Sequence, residues 1–340
     1  MIHTSVSDKP RTKKWRALKF MLIIFITVLF VMSAGFIYEW YASNHAREDY
    51  PPPGRLVETG GYKLHIHQQG NGTPTIIMEA GSGETSLSWR EIPLELAKHA
   101  TVVTYDRAGY AWSESAPSER TGANIVKELH DALEKEGIRG PYIMVGHSLG
   151  GMYARLFTQT YIREIQGLVL IDARPEDDEK NTKVLLEQAQ FQGNPPASFL
   201  SLLKLSGSFR LFPNFMLEGL VAEQDRDAFI NVIATPSFFY AKEREATLAY
   251  TTEDAIRGQK LRSIPVRIIA RGLPQDYAQA GLSVEVGEEL ESIWKSGQRN
   301  MLNISEDSQL LIATKSSHMI IHDEPELVVQ TILDLVAYKK

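Results

Sequence analysis

The feature that most constrains what this chain can fold into is a five-residue corner, Gly146-His147-Ser148-Leu149-Gly150, set between two segments of different period. Before it, Tyr142-Ile143-Met144-Val145 is a continuous apolar run of strand length. After it, residues 151–160 carry Met152, Leu156 and Phe157 at helical spacing. A strand that turns at once into a helix needs unusual backbone angles, and a glycine two residues to either side of Ser148 removes the side chains that would block the turn. The corner therefore predicts a βα unit that holds the Ser148 hydroxyl out at its apex.

The same alternation continues on both sides. Apolar runs at residues 75–78, 101–105, 142–145, 167–171, 266–270 and 309–314 read as strands, and residues 89–98 and 124–136 as helices between them. Short apolar strands separated by helices predict a mostly parallel sheet covered on both faces. Leu64 and Ile66 alternate with His65 and His67, which predicts a strand with one wet face; two histidines without a third ligand make a poor metal site, so they read as solvated positions. Between Asp172 and Pro265 no strand run occurs. Residues 182–190, 197–205 and 222–234 are helical in pattern, which predicts a helical cap at 173–264 inserted into a core of residues 55–172 and 265–340. Most of the cap's phenylalanines are expected to fill its own core, with a minority lining an apolar acyl pocket.

The N-terminal part is different material. Residues 20–38 are an uninterrupted uncharged run of about the length that a bilayer core requires. Lys9, Arg11, Lys13, Lys14, Arg16 and Lys19 precede it, and Glu39, Arg47, Glu48 and Asp49 follow. The run is expected to be a single-pass cell-membrane helix with a basic tail (1–19) in the cytoplasm and the rest of the chain outside it. The competing account is a cleaved signal peptide with Ser33-Ala34-Gly35 as its small-residue site, but the run exceeds an ordinary signal core. Residues 39–54, ending in Tyr50-Pro51-Pro52-Pro53-Gly54, read as a linker. The net charge of −6 includes the basic tail, so the globular part is more acidic still, which argues against nucleic acid as a partner. The absence of cysteine excludes a disulfide scaffold, a thiol nucleophile and cysteine-ligated metal.

A serine hydroxyl needs a base within hydrogen-bond reach and a third group to orient that base. In a strand-nucleophile-helix arrangement the partners come later in the chain, which leaves His318 and His322. His318 follows the last strand and is the expected base, with His322 a capping or surface residue; the side chain of His147, inside the corner, is expected to diverge from the hydroxyl. For the acid, Asp172 ends the strand after the nucleophile's unit and Asp276 lies beyond the strand at 266–270, so both candidates stand. The amides of Leu149, at a helix N-terminus, and of Ser82, in Ala80-Gly81-Ser82-Gly83, are the expected oxyanion donors. That loop lacks the Lys-Ser/Thr ending of a phosphate-binding loop and the third glycine of a dinucleotide site.

Together the corner, Tyr105-Asp106-Arg107-Ala108-Gly109-Tyr110-Ala111-Trp112-Ser113, and Ser317-His318-Met319 leading to Glu324-Pro325-Glu326 resemble the α/β-hydrolase superfamily over roughly residues 55–337. The resemblance implies an α/β fold with an eight-stranded, mostly parallel sheet, a cap after the sixth strand, and capped serine hydrolase chemistry of the esterase or lipase kind. Where relatives have His-Gly before the oxyanion residue, this chain has Ala80-Gly81. Relatives tend to place the acid after the seventh strand, a position near Asp276, and some capped members use the position of Asp172. A small-molecule or lipid-like ester is the expected substrate and no cofactor is implied. Peptidase or thioesterase activity, and a non-catalytic anchored binding or signalling module, are the competing readings.

Overall fold

The computed structural model describes residues 11–218 and 220–338. Residues 1–10 of the expected basic tail lie outside the described residues. Those that are described form two compact units: the residues up to Pro51 with those of Phe199–Ala234, and the residues of Pro52–Ser198 with those from Thr235 onward.

The larger unit is built on strands β1 (Arg55–Glu58), β2 (Lys63–Gln69), β3 (Thr75–Glu79), β4 (Thr101–Tyr105), β5 (Tyr142–His147), β6 (Ile165–Ile171), β7 (Val266–Arg271) and β8 (Ser308–Ala313). They make one eight-stranded sheet in the order β1-β2-β4-β3-β5-β6-β7-β8. The pairs β1/β2 and β2/β4 are antiparallel and the rest are parallel. Successive side chains of a strand point to opposite faces, so a strand apolar at every position must be covered twice. In β5, Met144 packs on the face covered by the helices Gly122–Lys135 and Leu149–Thr160, while Ile143 and Val145 pack on the face covered by Pro325–Val336. The first of these helices is capped by Thr121, whose hydroxyl accepts from the Asn124 amide.

Two local expectations change. The expected wet face of β2 is partly covered: Lys63 is exposed, but His65 is fully buried, its ring 4.9 Å from that of Trp112 and 2.7 Å from Asp106, because the loop after β4 folds over it. His67 is half-buried. The long helix Pro236–Ile256, absent from the sequence pattern, buries Phe238, Phe239, Ala241, Glu245, Ala249 and Ile256.

The smaller unit contains the helix Arg11–Asp49, one helix long and apolar enough to cross a membrane. It runs on through residues 39–49, where a linker was expected, because that stretch contains neither glycine nor proline; it stops just before Pro51, whose ring disfavours helical geometry in its predecessor. Of the expected cap, residues 199–234 belong to this unit, and residues 173–198 and 235–264 to the unit that carries the sheet. The helix expected at 222–234 is broken into short turns, Glu223–Asp225, Arg226–Ala228 and a π-turn, Phe229–Ile233.

Candidate active site

The parallel strands end in register along one edge: His147 lies beside Ile171, and Arg271 beside Ala313. Loops leaving that edge carry the candidate residues, as the crossover geometry of a parallel sheet requires. Ser148 stands between β5 and the helix Leu149–Thr160 with φ 52° and ψ −123°, a conformation that costs a residue with a Cβ. The flanking glycines serve close approach. A Cβ on Gly146 would lie 2.6 Å from the Gly150 carbonyl oxygen, and one on Gly150 would lie 2.4 Å from the carbonyl oxygens of Glu79 and Ala80.

The structure brings Ser148, His318 and Asp172 into one line. The Ser148 hydroxyl donates to His318 Nε2 at 3.0 Å, and His318 Nδ1 donates to Asp172 Oδ2 at 2.6 Å. An ionised carboxylate only accepts, so the proton lies on Nδ1 and Nε2 is left as the acceptor. Asp172 is fully buried and, like Ser148, has positive φ. Burial pushes its carboxyl up, but the hydrogen bond from His318, the Arg271 guanidinium and the Trp294 indole outweigh that and hold it down at about 2. Arg271 Nη1 donates to Asp172 Oδ2 at 2.8 Å and Trp294 Nε1 to Oδ1 at 2.9 Å. Asp276 is elsewhere: it is exposed, and its Oδ1 accepts from the Ala278 amide to cap the short helix Tyr277–Ala280. His322 donates to the Ser88 carbonyl at 2.9 Å.

The expected oxyanion donors sit on two elements of this edge. Leu149 is the first residue of its helix, and Ser82 lies in the loop after β3. Neither amide donates to a protein acceptor among the described residues. That loop is held from below by Arg107, fully buried, which donates to the carbonyls of Ala80 (2.6 Å) and Gly81 (2.8 Å) and pairs with Glu79 and Glu245 at 2.9 and 3.0 Å. Glu84 accepts from the Gly81 amide at 2.8 Å. Arg107 and Glu84 thus fix the backbone of Ala80-Gly81 from two sides.

His147 does diverge from the hydroxyl, but it is no bystander. Its Nδ1 lies 2.8 Å from Glu84 and its Nε2 lies 3.0 Å from the His318 carbonyl oxygen. Both partners are acceptors, so both ring nitrogens carry protons and the ring is an imidazolium. Burial works against that charge, but Glu84 outweighs it and raises the His147 pKa; Glu84, whose own burial would raise it, is held below its ordinary value by His147. The pair ties the loop that carries Ser82 to the loop that carries His318. Glu84, Arg107, Arg271 and Trp294 were not singled out from the sequence for these roles. The only signal for one of them was the position of Arg107 inside the Tyr105–Ser113 motif.

A buried carboxylate, an oriented imidazole and a hydroxyl at a strained corner can together activate an oxygen nucleophile beside two unused amides. Comparison with known proteins agrees with this geometry at the level of the fold. Residues 74–245 match the family described as alpha/beta hydrolase fold. Two relatives from Bacillus subtilis are the uncharacterised proteins YbdG and YqjL. YbdG is 28% identical over 161 residues, 46% of this chain and 50% of its own length, so the match spans only half of that relative. YqjL is 26% identical over 269 residues, 79% of this chain and 86% of its own. Among solved structures, the epoxide hydrolase CorEH aligns with a TM-score of 0.60 at 18% identity, covering 83% of this chain and 98% of that one. A thermophilic esterase from Thermogutta terrifontis aligns at 0.55 and 20%, covering 82% and 96%.

Proposed function

This chain belongs to the alpha/beta hydrolase fold family, and from that membership and the geometry of its site we propose that it is a membrane-anchored serine hydrolase that cleaves carboxylic ester-type bonds through an acyl-enzyme on Ser148. The observation that carries the reading is the relay from Ser148 Oγ through His318 to Asp172, at 3.0 and 2.6 Å. In this mechanism Ser148 Oγ attacks the ester carbonyl while His318 Nε2 takes its proton. The Ser82 and Leu149 amides receive the negative oxygen of the tetrahedral intermediate. Collapse expels the alcohol, protonated by His318, and leaves the acyl group on Ser148. Water then attacks that ester with His318 as base, and the acid departs. Asp172, charged throughout, holds the imidazole in the required tautomer.

Epoxide opening, the activity named for one structural neighbour, suits this site less well. A serine attacking an epoxide would be left as an ether, which water does not cleave, whereas acylation leaves an ester that the same histidine can hydrolyse. The helix Arg11–Asp49 is proposed to hold the enzyme in the cell membrane with its N-terminus cytoplasmic and the catalytic unit outside.

The test is a panel of p-nitrophenyl esters of graded acyl length together with a fluorophosphonate probe. The reading predicts turnover and covalent labelling that both vanish in Ser148→Ala. Labelling without ester turnover would favour a peptidase or thioesterase. A folded protein that shows neither would leave the non-catalytic binding module. External protease on intact cells tests topology, and a protected catalytic unit would contradict the orientation.

A further inference from the structure

The smaller unit carries an apolar surface that the proposed chemistry does not use. Residues 199–217 contain only two charged side chains, Lys204 and Arg210. Both turn inward to the same carboxylate, Glu39 of the helix Arg11–Asp49: Lys204 Nζ lies 2.5 Å and Arg210 Nε 3.2 Å from it. Lys204 also donates to the Ile230 carbonyl at 2.7 Å, and Arg210 to Asn231 Oδ1 at 2.7 Å. Glu39 and Lys204 are buried. With its charges committed inward, the segment turns large apolar side chains outward. Leu211, Phe212, Phe215 and Leu220 are 52%, 60%, 86% and 79% exposed. A cluster this apolar on an outer face is abnormal for a surface that meets only water.

What covers it follows from where the segment touches the long helix. Gly35 lies against Ser206 and Gly207: a Cβ on Gly35 would come 2.4 Å from the Ser206 carbonyl oxygen, so glycine is needed for the approach. Gly35, Glu39 and Ala46 form one buried stripe on a helix whose residues 14–34 are exposed throughout. Gly35 is also inside the uncharged run of residues 20–38, three residues from its end, or about 5 Å at the helical rise. A segment in contact with that position stands at the depth where hydrocarbon gives way to headgroups. There, apolar rings are favourable and unpaired charge is not, and Lys204 and Arg210 are accordingly both turned inward onto Glu39.

We propose that residues 199–217, with Leu220, are a second membrane contact: they lie in the headgroup and acyl boundary of the leaflet through which the helix Arg11–Asp49 leaves the bilayer, with Leu211, Phe212, Phe215 and Leu220 immersed and the exposed Glu218 carboxylate at the headgroups. The proposal rests on reading residues 20–38 as membrane-spanning. It makes the anchor more than a tether, because the helix and the segment grip the same leaflet as one body.

The chain has no cysteine, so single cysteines report cleanly. Full-length Ile26→Cys, Phe215→Cys and Leu220→Cys, each labelled with NBD and reconstituted into phosphatidylcholine vesicles, would be quenched in turn by doxyl-labelled lipid and by aqueous iodide. All three positions replace exposed side chains, so folding is retained. The proposal predicts that doxyl lipid quenches all three labels at least twofold and that iodide reaches none of them well. Quenching by lipid at position 26 but by iodide at 215 and 220 overturns the second contact and leaves the anchor standing. Iodide quenching at all three positions overturns both.

Discussion

Asp172 accepts from His318, Arg271 and Trp294 and keeps its charge, whereas Asp276 turns away to cap a surface turn. Replacing Asp172 by Asn keeps the shape but offers the wrong group to Nδ1, so kcat is expected to fall on the order of 10³- to 10⁴-fold with KM little changed. Asp276→Asn should stay within about twofold, a surface change away from the relay; p-nitrophenyl ester kinetics on both variants check this. The same environment sets acid behaviour. Because the Asp172 pKa is depressed from 3.8 to about 2, its contribution to stability is present above 3.8 and is lost as pH falls toward 2. His147 acts on the other side. Its pKa is raised from 6.5, so the clamp to Glu84 contributes fully below 6.5 and is lost as pH rises through the raised value. Urea unfolding as a function of pH should therefore show an alkaline loss of stability that is smaller in Glu84→Gln; an identical profile in that variant would remove the clamp from the account. Ser148 was legible from the corner that holds it, and His318 from chain order together with its place after the last strand. Glu84 and Trp294 were not, because a carboxylate or indole acquires its meaning only when a strand edge brings it beside a residue far away in sequence.

The corner between β5 and its helix is where an element's geometry decides the chemistry. Gly150 faces the carbonyls of Glu79 and Ala80, backbone atoms that cannot step aside as a flexible side chain would. Gly150→Ala is expected to cost roughly 1–3 kcal/mol of stability by overpacking. It should also lower kcat by shifting the loop that holds Ser82; urea midpoints and ester turnover measured on one preparation test both. The buried strands β3 to β7 could be read from sequence because each is short and mostly apolar, with polar residues or glycine near its ends. β1 was missed because Arg55–Glu58 offers only two apolar residues at the sheet edge. The helix Pro236–Ile256 was missed for a different reason. It buries Glu245, Thr252 and Glu253 beside its aromatic and alanine residues, so its inner face does not stand out as apolar. Its Glu245 pairs with the Arg107 that holds the Ala80 and Gly81 carbonyls of the loop after β3. A buried ion pair leaves no hydrophobic period to read.

At the scale of the whole chain, an acidic α/β unit follows a long N-terminal helix; the alternation of strands and helices specifies a mostly parallel sheet covered on both faces, and the corner with the motifs at 105–113 and 317–326 carries the likeness to the α/β-hydrolase fold. What the sequence did not disclose was the division of the inserted region, because helical periodicity says that a segment has an apolar face and not what that face packs against. The functional account depends on a single covalent event at the corner. It is tested most directly by acid-quenching the full-length protein during turnover of a p-nitrophenyl ester and measuring the mass of the peptide that contains Ser148. The account predicts that this peptide gains the mass of the acyl group, and that the gain is absent from Ser148→Ala. Ester turnover with the acyl mass found on another residue, or with no adduct and undiminished in Ser148→Ala, would contradict it.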